Sequence, residues 1–234
     1  MPTDLPLFQD WEHYLLLTRD DNLGDTRVGE IRIVTDPEEA ERIVRSCRSG
    51  AVAKHGEIAD YRIGVVYADP YIAVVRDLVE FPTGAFGTYI RVLPLERPYF
   101  GICVLPFYAD KLVLMRQFRH ASRRWHYELP KGMLNTGESL PAAASRELAE
   151  ELNATVVDLR YLGNVYADLG LLGRPLAVFT AQISAPARVG GDYLSAGIVA
   201  YSQSEIRTFI RNDEIDDGMT LAALQLYGAK ATIP

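Results

Sequence analysis

The stretch "KGMLNTGESLPAAASRELAEELNA", residues 131–154, decides how the chain is read. From Ser139 onward it has the pattern of an amphipathic helix: Ala144, Leu148 and Leu152 recur every four residues and make an apolar stripe. Ser139 suits an N-cap and Pro141 a first turn. Asn153 stands where a left-handed residue ends a helix, a geometry that asparagine tolerates second only to glycine. Beside the stripe run Glu147, Glu150 and Glu151. At i,i+3 and i,i+4 they are neighbours on one helix edge, where each like-charge pair costs about 0.2–0.5 kcal/mol.

Something must offset that repulsion. Hard oxygen ligands at this spacing suit Mg²⁺, with Mn²⁺ as an alternative, because such ions take carboxylates, waters and substrate phosphates. Arg146 stays charged among the acids and can orient one of them. Gly132 is expected to let the preceding loop turn tightly and bring a backbone carbonyl towards the metal. A solvated acidic face is the plain alternative. It explains the charge but not the fixed intervals from Gly132 to Glu138 to Arg146.

The rest of the chain sets the frame. It has 234 residues, 48% hydrophobic and 24% charged, the composition of a globular protein of one large domain or one domain with an appendage. Net charge is −7, which argues against binding nucleic acid through a basic surface. Cys47 and Cys103 make neither a disulfide framework nor a zinc pattern. No apolar run is long enough to cross a bilayer, and the N-terminus is a poor signal peptide, so no membrane role and a cytoplasmic location are expected.

Residues 1–58 differ from the remainder. "GEIRIVT" alternates like a strand, and "DPEEAERIVRSCRSG" signals a helix capped by Asp36 and stopped by Gly50. We expect a small strand–helix appendage there and one domain over 59–234, including its own N-terminal β segment. "YRIGVVYA", "YIAVVRDLVEF", "GTYIRVLPL", "FGICVLPFY" and "KLVLMRQFR" read as successive strands divided by turn residues. After the acidic helix come two more strands, a glycine-bearing loop, the strand "IVAYS" and two closing helices. The order describes an α+β fold layered around a mixed sheet.

The interval pattern resembles the Nudix hydrolase signature, G-x5-E-x7-R-E-U-x-E-E-x-G-U with U aliphatic. Gly132, Glu138, Arg146, Glu147, Glu150 and Glu151 match; Asn153 replaces the second glycine and Ala154 the final aliphatic residue. "VVYADPYIAVVRDLVEFPTG", "LVLMRQFRH", "WHYELPKGM" and "DEIDDGMTLAALQLY", from about residue 60 to the end, are similar to the ADP-ribose pyrophosphatase branch of that family. The resemblance implies an α/β/α sandwich, a homodimer, and metal-assisted hydrolysis of a diphosphate in ADP-ribose or a nucleotide-sugar. GDP-mannose, a dinucleotide, or nucleotide binding without cleavage are the alternatives. It also implies roles: Glu147, Glu150, Glu151 and the Lys131 carbonyl as metal ligands, and Glu138 bracing the motif through Arg146. Arg119, Arg116, Glu128 and Met133 would meet the substrate. The branch places a catalytic glutamate in a late loop; here that loop, "ARVGGDYLSAGIVAY", offers Asp192, with Ala196 near the expected position. Asp168 is a second candidate base.

Overall fold

The computed structural model describes residues 8–18, 31–55, 62–95, 99–186 and 195–231. The chain forms two compact units, one of Met1–Glu96 with Asp168–Gly173 and one of Arg97–Ala167 with Arg174–Pro234.

The first unit is built on a five-stranded sheet. It contains β1 (Phe8–Gln9), α1 (Trp11–Thr18), β2 (Arg32–Ile33), α2 (Pro37–Arg48), β3 (Ile63–Ala68), β4 (Ile72–Glu80) and β5 (Phe86–Pro94). β5 pairs along the whole of β4, while β3 and β2 share the other edge of β4 and β1 runs parallel to β3. The Asp36 side chain accepts from Glu39 N at 2.7 Å and caps α2 as expected. Ala40, Ile43, Val44 and Cys47 of α2 pack with Val34, Ile63 and Leu78. Asp77, 1% exposed, is satisfied by the Tyr14 hydroxyl at 2.6 Å and by Arg91 at 2.5 and 3.0 Å. Leu171 O accepts from Val92 N at 2.8 Å, which ties residues 168–173 to this sheet. The division therefore falls between Glu96 and Arg97, not at residue 58: β3, β4 and β5 join the N-terminal elements through the β1 and β2 pairings. Of the strand read over "GEIRIVT", Gly29 and Glu30 lie outside the described residues and the described part is strand at Arg32–Ile33.

The second unit is the α/β/α sandwich. Its strands are β6 (Gly101–Tyr108), β7 (Lys111–Arg119), β8 (Arg124–Glu128), β9 (Lys131–Gly132), β10 (Val156–Val165), β11 (Leu176–Ile183) and β12 (Ser195–Tyr201); its helices are α3 (Leu140–Leu152), α4 (Gln203–Arg211) and α5 (Gly218–Ala231). The sheet runs β10-β11-β6-β7-β12, mixed because β11 and β6 are parallel and the other pairs antiparallel. Alternation sorts the side chains into two layers. Ile102, Val104, Val113, Met115, Ala177 and Phe179 face Ala144, Leu148 and Leu152 of α3. Cys103, Leu105, Leu112, Leu114 and Val178 pack with Ile206, Ile215 and Ala223 of the terminal helical segment.

One departure from a simple sheet makes the site. β6 and β7 pair only at their hairpin end, Phe107 with Leu112 and Tyr108 with Lys111. Beyond it β7 pairs β8 and β6 pairs β9, so the two central strands part. α3 then starts as its sequence signals: Ser139 is the N-cap and accepts from Ala142 N. Asn153 ends it in the left-handed region at φ 48°, ψ 40°.

That left-handed cap gives a stability test. Asn153→Ala should lower the unfolding free energy by about 1 kcal/mol, because alanine lacks the short polar side chain whose local hydrogen bonding lets asparagine hold the left-handed conformation. Asn153→Gly should be at least as stable as the wild type in denaturant unfolding. An alanine variant as stable as the wild type would contradict the assignment of strain to this residue.

Candidate active site

Arg146 organises the loop before α3. Its guanidinium has five N–H groups, and the structure uses each. Nε and Nη2 bind Glu138 at 2.9 Å each, Nη2 also reaches Met133 O at 3.0 Å, and Nη1 bonds Glu147 at 2.7 Å and Glu150 at 3.0 Å. This hydrogen bonding raises the Arg146 pKa and holds Glu138 below the usual carboxylate range. Arg146 is thus a positioning residue: it pins the loop onto α3 and aims two carboxylates. Glu138 also accepts from Asn135 N at 2.9 Å, which closes the loop on itself.

Glu147 is 7% exposed, and burial pushes its carboxyl upward in spite of Arg146. Glu151 is shifted further, to about 8, first by burial and then by the charge of Glu147 one turn away. Its Oε2 accepts from Lys131 N at 3.3 Å, and among the described residues it makes no ion pair. Glu150 is the exposed member of the three.

Gly132 owes its place to space rather than to turning. A Cβ built there would lie 1.8 Å from Glu147 Oε1, so only glycine lets β9 run against that carboxylate. Across the pairing, a Cβ on Gly101 would lie 2.4 Å from Gly132 O.

A cleft of about 580 Å³ opens beside β9. Arg119, Glu128, Lys131, Gly132 and Met133 line it, so the parted strands bring together five of the residues expected at the site. Glu128, 1% exposed, lies beneath two cations: Arg119 Nε at 2.9 Å and Lys131 Nζ at 3.1 Å. Its oxygens are therefore spent on holding Arg119 and Lys131 in the wall. Arg116 is not among the cleft residues; its guanidinium stands 5.7 Å above the Trp125 ring. Asp168 belongs to the first unit, where its carboxylate accepts from Gly170 N at 2.8 Å in a local turn. Asp192 lies outside the described residues.

Three features went unread in the sequence. Asp217 accepts from Lys131 Nζ at 2.6 Å and from Thr220 N and Oγ1 at 2.9 and 2.6 Å, capping α5 and fixing a cation at once. Burial acts to raise its pKa, but Lys131 and the two Thr220 hydrogen bonds together hold it below the usual range. The Lys131 side chain itself, and not only its backbone, faces the cleft. His126, which no metal-pair spacing marked, also lines it, with Ser122 and Asp216. The available signals were the Asp-x-x-Thr spacing ahead of α5 and the period of two that sets His126 on the strand face of Glu128.

The donor set fits a hard divalent cation: Glu147, Glu150 and Glu151 are oxygen donors on one helix edge, and two of them carry charge that burial disfavours. Among the described residues no three acidic, His or Cys side chains already converge as a cation cage; Glu147 and Glu150 are turned to Arg146. Gly132→Ala would push the Glu147 carboxylate out of its seat. Affinity for Mg²⁺, measured by titration calorimetry, should fall about 10–100-fold, the usual effect of disturbing a ligand's support. Unchanged affinity would contradict this placement of Glu147.

The NUDIX domain model matches residues 97–224. The ADP compounds hydrolase NudE of Escherichia coli (strain K12) is 28% identical over 114 residues, 49% of this chain and 60% of the relative. The NAD-capped RNA hydrolase NudC of Mycobacterium tuberculosis (strain ATCC 25618 / H37Rv) is 40% identical over 63 residues, 27% of this chain and 20% of that one. The chain thus spans less than two thirds of the length of these curated relatives. A crystal structure of an ADP compounds hydrolase superposes with a TM-score of 0.61, covering 78% of this chain and 98% of its own at 20% identity, which shows a shared fold. With the family model spanning more than half of its length, the chain belongs to the NUDIX domain family.

Proposed function

We propose that this protein hydrolyses the diphosphate of a nucleoside diphosphate derivative, ADP-ribose or a nucleotide-sugar, to a nucleoside monophosphate and a sugar phosphate. One observation carries the reading. Arg119 and Lys131 line one cleft, and β9, the strand that carries Lys131, runs against the Glu147 and Glu151 carboxylates. Cations for phosphate oxygens and carboxylates for a metal are what a bound diphosphate requires on its two sides. The name of the Escherichia coli relative supports the substrate class. In this reading the protein is a cytoplasmic homodimer.

The chain's own groups have distinct tasks. The Arg119 fork binds the phosphates and Lys131 adds a point charge; Glu128 and Asp217 keep both from swinging away. Glu147, Glu150, Glu151 and the Lys131 carbonyl would hold Mg²⁺, with Mn²⁺ as the alternative. Arg146 fixes Glu147 and Glu150 so that little reorganisation is needed when a cation arrives. When bound, the metal supplies charge neutralisation and a more acidic water.

The stretch shared with an NAD-capped RNA hydrolase favours a second substrate of the same chemistry, since NAD also joins two nucleosides through a diphosphate. Pure protein should therefore be offered ADP-ribose, nucleotide-sugars, a dinucleotide, NAD-capped RNA and nucleoside triphosphates with Mg²⁺, and the products identified. ADP-ribose or a nucleotide-sugar is expected to be cleaved fastest. Glu151→Gln should keep the fold and lower turnover at least about a hundredfold, the scale of losing a main electrostatic contributor. A preference for triphosphates, binding without cleavage, or undiminished Glu151→Gln turnover would each contradict the proposal.

A further inference from the structure

The cleft carries a second polar set, on β8, the turn before it and the segment before α5. On β8, His126 places Nδ1 2.6 Å from Asp216 Oδ1 and Nε2 2.6 Å from Ser122 Oγ. The three residues come from the β7–β8 turn, from β8 and from the segment before α5, and all line the same cleft. The ring is well enclosed, its side chain 13% exposed, whereas Asp216 at 42% reaches water.

The hydrogen positions follow from the partners. A carboxylate only accepts, so Nδ1 carries the hydrogen. In the neutral ring Nε2 is then a lone pair that can accept from the Ser122 hydroxyl, which also lies 3.4 Å from Arg119 O. Tethering β8 to the segment before α5 needs only the Asp216 bond. The second contact leaves a basic nitrogen facing an O–H within the cleft. Directly across the strand pair, Gln117 has a buried Oε1 that lacks a hydrogen-bond partner among the described residues, a further acceptor beside the ring.

The surrounding charges do not cancel this arrangement. Arg124 and Glu128 share the strand face of His126, Arg119 faces it from β7, and Lys131 and Asp217 lie farther along the cleft. Arg119 is engaged by Glu128, and Lys131 by Glu128 and Asp217, which leaves Asp216 as the carboxylate in contact with the ring.

We propose that His126, oriented by Asp216, is the proton acceptor for the water that attacks the diphosphate, with Ser122 occupying the position from which an O–H donates to Nε2. The role rests on the hydrolase reading above. In the step, the water oxygen forms a bond to phosphorus and one water O–H bond breaks, its proton passing to Nε2. The phosphorus–oxygen bond to the leaving phosphate breaks and takes its electron pair. The imidazolium stays paired with Asp216 and then gives its proton to solvent.

The test compares wild type, His126→Gln and Asp216→Asn, each shown to be folded, in Mg²⁺ with the diphosphate that the wild type cleaves best. His126→Gln should lower kcat roughly 10²–10⁴-fold, the usual contribution of a positioned base, with KM little changed. In Asp216→Asn the amide donates to Nδ1 and moves the hydrogen to Nε2, so kcat should fall while the isosteric side chain spares the fold. Nitrogen-labelled imidazole spectra of the wild type should place the hydrogen on Nδ1. A His126→Gln enzyme with the wild-type kcat, or a wild-type spectrum with the hydrogen on Nε2, overturns the histidine assignment and leaves the hydrolase reading standing. A wild type that cleaves no diphosphate overturns both.

Discussion

Glu147 and Glu151 stand one turn apart on α3, and both are withdrawn from water. Burial drives both carboxyls towards the protonated form, and the charge of Glu147 adds to it at Glu151, which is pushed to about 8. Most of the local structure answers to this constraint. Arg146 meets Glu147 directly and spends its other donors on Glu138, Glu150 and the Met133 carbonyl, so one guanidinium fixes both the helix edge and the loop. Gly132 has no Cβ because the Glu147 carboxylate fills that space. No such ion pair serves Glu151 among the described residues; a backbone N–H is its hydrogen-bond partner. The site is thus left with acid that a divalent cation would neutralise.

The parting of β6 from β7 turns that edge into a cleft. If the two strands paired along their full length, there would be no place for β8 and β9. Instead β9 rests on β6 beside α3, and β8 rests on β7 with Glu128 buried between Arg119 and Lys131. The buried acid is costly by itself, and its cations are costly to immobilise; together they form a preorganised wall. Asp217 adds to it while capping α5, which couples the terminal helix to the substrate side.

How much of this was legible in the sequence depended on the range of the interaction. α3 was legible to the residue, because Ser139, Pro141 and Asn153 act on backbone groups a few positions away. The strands of the sandwich were legible from alternation. β8 and β9 were not, since their pairing is fixed by the separation of two other strands. The unit boundary was missed for a similar reason: β2 finds β4 across 48 residues, as the Arg32–Glu80 contact measures. Arg119, Glu128 and Met133 were named from resemblance, and the structure gathers them. Arg116 was named with them, yet a period of two alone would have set it on the face opposite Gln117, where it stacks on Trp125. The contact between His126 and Asp216 spans 90 residues and leaves no local trace.

The central claim is that buried carboxylates on α3 are held at a cost that a divalent cation removes. It is tested most directly by unfolding free energy against pH, with and without Mg²⁺, for wild type and Glu151→Gln. The folded state keeps a proton on Glu151 up to about 8, whereas its ordinary value is 4.5. The metal-free wild type should therefore lose stability relative to Glu151→Gln as pH rises from 4.5 to 8, by on the order of a few kcal/mol. Mg²⁺ should restore that loss in the wild type and do little for the variant. Parallel stability curves for the two proteins across this interval, or a wild type indifferent to Mg²⁺ near pH 8, would contradict the account.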